Sequence, residues 1–412
     1  MLTHRPLFPL DPHADPMEEA RQLQALGPLV PVELPGGVAA WAATDYATAK
    51  EVLGHPAMTK DPEHWAALRD GQIPDDWELI ALVRGAAMLH AGGDNHRRLR
   101  QLVSSAFHRA PVEALRPRVE EIAGELLDGL ATAGPVEPVD LRELYAYPLP
   151  VRVICEVLGV PDSAVSELRH RFDRLVTPQE SATGEADIRV AVAAIYACLA
   201  ALIETKRANP GDDLTTELIQ ARDNGDRLND QELIESLFLL LIAGHETTIN
   251  AVTNTARLLL QNPKMLAAVR DGGEDAPTWA DVVDEGLRRS APVRHAIMSY
   301  ATKDIDIAGV RISEGDPVIA SLFAAGVDPS QHENPEDFDV SRPTRRDHLA
   351  FGHGAHFCLG SRLAKLETEV ALSALFARYP DLTLAGDPSR LASIALQSFS
   401  ELPVYLGPDD HS

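Results

Sequence analysis

Apolar positions along this chain change their spacing three times. From about residue 94 to 290 they recur every three or four residues, the mark of one helix face turned inward. That spacing predicts helices over 95–108, 111–132, 141–158, 163–176, 187–208, 213–222, 229–260, 262–270 and 278–289. The one that starts near Asp230 is unusually long. Ahead of this region Leu29–Val32 and Gly37–Trp41 read as strands, parted by the turn signal Pro35-Gly36-Gly37. After Pro292 short strands and turns return over 294–321, followed by a Pro/Asp-rich irregular stretch over 326–348. Helix spacing resumes at Leu359, Leu363, Leu366, Val370 and Ala374, and 380–406 reads as hairpin-like strands. No internal repeat or low-complexity linker divides the chain. The expectation is one domain over 1–412, mainly α with small β-sheets. Its β-rich portions cover about 25–60 and 294–321, its helical core about 94–290, and a loop with its helix 351–379.

Composition narrows the function classes. Apolar residues make up 45% and charged residues 24%, enough to build a large core. A formal net charge of −25 argues against a nucleic-acid partner or an anionic membrane surface. Three cysteines, an odd and sparse set, do not make a disulfide framework and suit a reducing compartment. Residues 1–17 hold no apolar leader core, and Leu237–Ala243 is too short to span a bilayer, so a cytoplasmic protein is expected.

Residues 351–360, Phe-Gly-His-Gly-Ala-His-Phe-Cys-Leu-Gly, concentrate the chemistry. Gly354 and Gly360 allow a tight turn and close approach to a flat ligand. Cys358 would sit at the mouth of the following helix, where free N–H groups and the dipole lower a thiol pKa. A buried structural cysteine, or a zinc turn at His353, His356 and Cys358, leaves the two glycines and Phe351 unexplained. The stretch resembles the haem-ligand loop of cytochromes P450, Phe-x-x-Gly-x-His-x-Cys-x-Gly, with every fixed position present.

This resemblance can be followed along nearly the whole chain and implies the cytochrome P450 prism fold. It makes Cys358 the thiolate ligand of haem b, in a loop formed by Phe351, Gly354, His356 and Gly360. His96 and Arg100, an i, i+4 pair, would hold the haem propionates, with His356 helping. Within the long helix Ala243 and Gly244 would lie against the haem, beside Glu246 and Thr247 as the acid and alcohol that pass protons to bound dioxygen. Glu285, Arg288 and Arg342 would form a buried structural core site. A substrate pocket would draw on Met88, Leu89, Leu239, Val293, Ile297, Gln397 and Phe399. The implied activity is insertion of one oxygen atom from O2 into a C–H bond of a bulky apolar molecule such as a steroid, macrolide or flavonoid. No Gly-x-Gly-x-x-Gly or flavin-sized module is present, so electrons would come from a separate ferredoxin and its NAD(P)H-dependent reductase. Basic residues in or just after the first helix (Arg97, Arg98, Arg109, Arg116 and Arg118) and flanking the cysteine loop (Arg345, Arg346, Arg362 and Lys365) would offer that acidic partner a docking face.

Two positions depart from the family pattern. Ser299 stands where the strand normally carries another propionate-binding arginine, with Arg294 and His295 as nearby substitutes. Gly326-Val327-Asp328 replaces the frequent Asn-Arg-Asp, implying different local packing. Competing functions are a peroxide-driven peroxygenase, which would lack the acid–alcohol pair, and a non-catalytic haem sensor, which would carry an output domain or a basic DNA-reading helix.

Overall fold

The computed structural model describes residues 6–109, 112–132, 137–161, 184–221, 226–273 and 276–407, without the side chains of 105–109, 184–189 and 297. The segment 163–176 lies outside these residues. Elsewhere the helical region follows the apolar spacing closely, and its spine is Asp230–Gln261. Asn229 starts that helix with a reciprocal cap: its side chain accepts from Glu232 N–H, and the Glu232 carboxylate accepts from Asn229 N–H, both at 2.9 Å. Apolar residues then bury it against Pro148–Val157, Gly184–Ala208, Trp279–Arg289 and Ser361–Arg378.

The stretch expected as one helix over 141–158 is broken. A strand, Val139–Asp140, leads into a π turn over Arg142–Ala146, and an α-helix follows over Pro148–Val157. Pro148 and Pro150 bring no N–H to the α ladder. Tyr147 N–H instead reaches back five residues to the Arg142 carbonyl at 2.8 Å.

The β portions near the two ends of the chain are one sheet. Its strand order is Phe8–Pro9, Leu29–Leu34, Val38–Ala43, Pro317–Ser321, His295–Ala301, Met58–Thr59. Trp41 pairs with Val318 in parallel, joining residues far apart in sequence. The tail supplies Thr383–Leu384 and Pro403–Tyr405, which pair antiparallel and add Val139–Asp140 as a third strand. Among the described residues no helix is long and apolar enough to cross a membrane.

Candidate active site

Backbone bonds set the shape of the cysteine loop. Cys358 N–H donates to the Phe351 carbonyl at 2.9 Å, and Gly352 and Gly354 take φ values of 72° and 71°. A Cβ on Gly354 would meet the Leu53 carbonyl oxygen at 2.9 Å, so both conformation and close approach require glycine there. Gly360 differs. Its φ is −83° and a Cβ would find open space, so its contribution is its N–H, which favours the Cys358 thiolate.

Helix Ser361–Arg378 begins beyond Gly360, its N-cap, so Cys358 precedes the first turn. The thiol is exposed on one side. Burial by the surrounding walls nevertheless pushes its pKa up, against the Gly360 N–H and the Arg100 charge, which pull down. The lowered thiol pKa expected from the sequence is thereby corrected: desolvation outweighs one N–H and one guanidinium.

Beside the loop lies a cluster of cationic and imidazole groups. His96 and Arg100 come from helix Gly93–Arg109. The His96 ring lies 3.9 Å from that of His356, centroid to centroid, and Arg100 donates to the Phe357 carbonyl at 2.7 Å. Lys60 and His90 complete the group. Burial, then the charges of His96, Lys60, Arg100 and His90, push His356 down to about 3. Burial, then Arg100, lowers His96, and burial brings Lys60 down to about 8. No carboxylate is among the main influences on His90, His96 or His356, and His96 Nε2 is buried without a hydrogen-bond partner. An acid-free set of donors calls for an external anion, and a neighbouring exposed thiol suits a soft metal. These residues fit a haem, which brings two carboxylates and an iron.

On the long helix Leu239, Ala243 and Thr247 follow at i, i+4 and form its less buried stripe. The Thr247 hydroxyl donates to the Ala243 carbonyl at 3.0 Å. Gly244 turns elsewhere: a Cβ there would meet Ile154 Cδ1 at 3.0 Å. Its smallness therefore serves the packing of helix Pro148–Val157, not a flat ligand. Glu246 is buried, 3.6 Å from Arg142 on the π turn, and accepts from Asn250 Nδ2 at 3.3 Å. Its Oε2 has no hydrogen-bond partner. Nothing in the local sequence singles out Arg142, because the π turn that aims it is irregular.

Glu285, Arg288 and Arg342 come together. Both Glu285 oxygens accept from Arg288 at 2.8 Å, and Oε1 also accepts from Arg342 Nε at 3.2 Å and Asp339 N–H at 3.0 Å. The remaining guanidinium donors go to the carbonyls of Gly326, Pro335, Asp337, Glu333 and Asn334. Gly326, a departure from the family pattern, is fixed by this arrangement: a Cβ there would stand 2.2 Å from the Arg288 carbonyl oxygen. Gly326→Ala is expected to lower stability by about 1–3 kcal/mol, read as a lower denaturant midpoint.

Other expected residues take different places. Arg294 and His295 do not replace the missing arginine, because both are buried on Glu19. Arg294 Nη2 lies 2.7 Å and His295 Nε2 2.9 Å from its carboxylate. The Phe399 ring is enclosed between the guanidiniums of Arg257 and Arg390, each 5.0 Å away. Gln397 donates to Ser290 Oγ at 2.7 Å and is buried. Met88 packs on the same apolar core as Phe238, Ile242 and Leu359. Leu89 is exposed and Val293 half-buried, while the Ile297 side chain lies outside the description. The basic face expected for docking is largely neutralised: Arg98 pairs with Glu232, Arg116 with Glu369, Arg118 with Glu156, Arg345 with Asp281, and Arg346 and Lys365 with Asp284.

A family model described as cytochrome P450 matches residues 186–388. The chain is 40% identical over 406 residues to 2-hydroxy-5-methyl-1-naphthoate 7-hydroxylase of Streptomyces carzinostaticus, covering 97% of each. It is 37% identical over 402 residues to 6-deoxyerythronolide B hydroxylase of Saccharopolyspora erythraea, covering 96% of each. Among solved structures, testosterone-bound CYP154C4 from Streptomyces sp. ATCC 11861 superposes with a TM-score of 0.92 at 37% identity, over 98% of this chain and 100% of that one. Since such identity runs from end to end of both partners and the fold follows it throughout, this chain belongs to the cytochrome P450 family and is a monooxygenase.

Proposed function

We propose that the chain works as a single cytochrome P450 domain holding haem b. In this reading Cys358 is the thiolate ligand, and His96, Arg100 and His356 bind the haem carboxylates. The reaction places one oxygen atom from O2 into a C–H bond of a bulky apolar ring molecule. The observation that carries this reading is the exposed Cys358 thiol beside buried His96 and half-buried Arg100 and His356, with no carboxylate among the main influences on the two imidazoles. When bound, a thiolate-ligated haem supplies the O–O cleavage chemistry. The protein's share is to hold substrate, exclude water and move protons. Leu239 and Ala243 offer an apolar stripe for substrate, and Thr247 stands at its end. Because the Thr247 proton is committed to the Ala243 carbonyl, its oxygen lone pairs remain to accept a hydrogen bond. Glu246, held by Arg142, is the acid in line behind it. Electrons come from a separate ferredoxin and its NAD(P)H-dependent reductase. The relatives named above support a large substrate, since a naphthoate, an erythronolide and testosterone are all ring molecules with extensive apolar surface.

The reduced carbon-monoxide spectrum of the purified holoprotein tests this reading. The long-wavelength Soret band of thiolate ligation is expected, and the band of a neutral ligand would refute it. Thr247→Ala and Glu246→Gln are expected to keep that band while product per NAD(P)H consumed falls about 100-fold, the lower end for a positioned proton donor. Unchanged coupling in both variants would remove these residues from proton delivery.

A further inference from the structure

One member of the cation cluster follows from no pattern in the sequence. Lys60 comes directly after strand Met58–Thr59, which pairs antiparallel with His295–Ala301. Met58 lies opposite Ala301 and Thr59 opposite Tyr300, so the next step of the register carries residue 60 to the level of Ser299. Lys60 Nζ donates to the carbonyl of Met298, the neighbour of Ser299, at 3.2 Å. Its charge acts on both His90 and His356, which places the ammonium among the imidazoles of the cluster. Ser299 itself is buried and has only a short neutral hydroxyl. Arg294 and His295, on the same strand, are taken by Glu19.

We propose that Lys60 binds a haem carboxylate, supplying from the adjacent strand the cation that Ser299 does not provide. The inference rests on the haem reading above and names a further residue of that site. A desolvated ammonium beside His90 and His356 is repelled by either of them when it is charged. An anion seated among them is attracted to each cation and offsets that mutual repulsion. Lysine suits the position because its charge is compact and its stem long enough to reach from the neighbouring strand.

The test uses holoprotein and measures haem transfer to excess apomyoglobin. Lys60→Met is expected to release haem about tenfold faster, the share of one charged hydrogen bond. Its ferric–ferrous midpoint potential is expected to become more negative, because a cation near the iron favours the reduced state. Adding Ser299→Arg to Lys60→Met is expected to restore retention, which a purely structural role for the lysine would not allow. A wild-type release rate in Lys60→Met overturns the assignment. So does faster release that Ser299→Arg leaves uncorrected. A wild-type protein that takes up no haem overturns the parent reading and this one with it, so the two failures are distinguishable.

Discussion

Cys358→Ser is expected to abolish the thiolate carbon-monoxide band and to lower hydroxylation on the order of 10³-fold or more. A serine hydroxyl does not ionise near neutral pH, so the electron-rich ligand is lost while the side-chain volume barely changes. Neither remaining cysteine can take its place. Cys155 is buried, and desolvation followed by the neighbouring Cys198 pushes its thiol up to about 12. Cys198 packs against the same apolar core. The fold should be little affected, because what closes the loop is the bond from residue 358 N–H to the Phe351 carbonyl, which serine keeps. Far-UV circular dichroism of the variant should match wild type while the spectral band and product disappear. Retention of both band and product would remove Cys358 from the site.

The second large effect falls on stability. Glu285→Gln removes the carboxylate charge that Arg288 and Arg342 share, in a place where Glu285 and Arg288 are 0% exposed. Two guanidiniums would then remain buried with carbonyl partners and no counter-ion. Breaking a buried pair in this way costs about 3–5 kcal/mol. A domain whose whole stability is about 5–15 kcal/mol would lose about a fifth of it or more. The expected outcome is poor soluble yield and a strongly lowered denaturant midpoint, in apoprotein as well as holoprotein. A midpoint within about 0.5 kcal/mol of wild type would show that the carbonyls alone satisfy the arginines.

How far the sequence was readable depends on how local each interaction is. The cysteine loop, the i, i+3 pair Glu285–Arg288 and the i, i+4 pair His96–Arg100 lie within a turn or two of chain, so each stands out as a local pattern, while the roles given to them came from the family resemblance. The helices were legible for the same reason, and the exception is instructive. Over 141–158 the apolar spacing continued, but two prolines forced a π turn and so aimed Arg142 at Glu246. Contacts that depend on strand register were invisible. Glu19 meets Arg294 and His295 only because the sheet and the helix after Asp15 bring them together, and Lys60 reaches the level of Ser299 through a two-residue strand. Phe399 was placed in a pocket by the family resemblance, yet its ring lies 5.0 Å from the guanidiniums of both Arg257 and Arg390, an arrangement set by residues from distant parts of the chain. The thiol shift failed in sign because desolvation cannot be read from a string of letters.

The parallel pairing of Trp41 with Val318 bears on how the molecule is made. During synthesis at about 5–20 residues per second, Leu29–Leu34 and Val38–Ala43 leave the ribosome tens of seconds before Pro317–Ser321 exists. For that interval the hairpin has no neighbour on its Val38–Ala43 side and waits as an unfinished edge, while the helices between can already assemble. Slower translation of the segment up to residue 321 would lengthen the wait, making the nascent chain's yield sensitive to codon choice and chaperone supply late in the message.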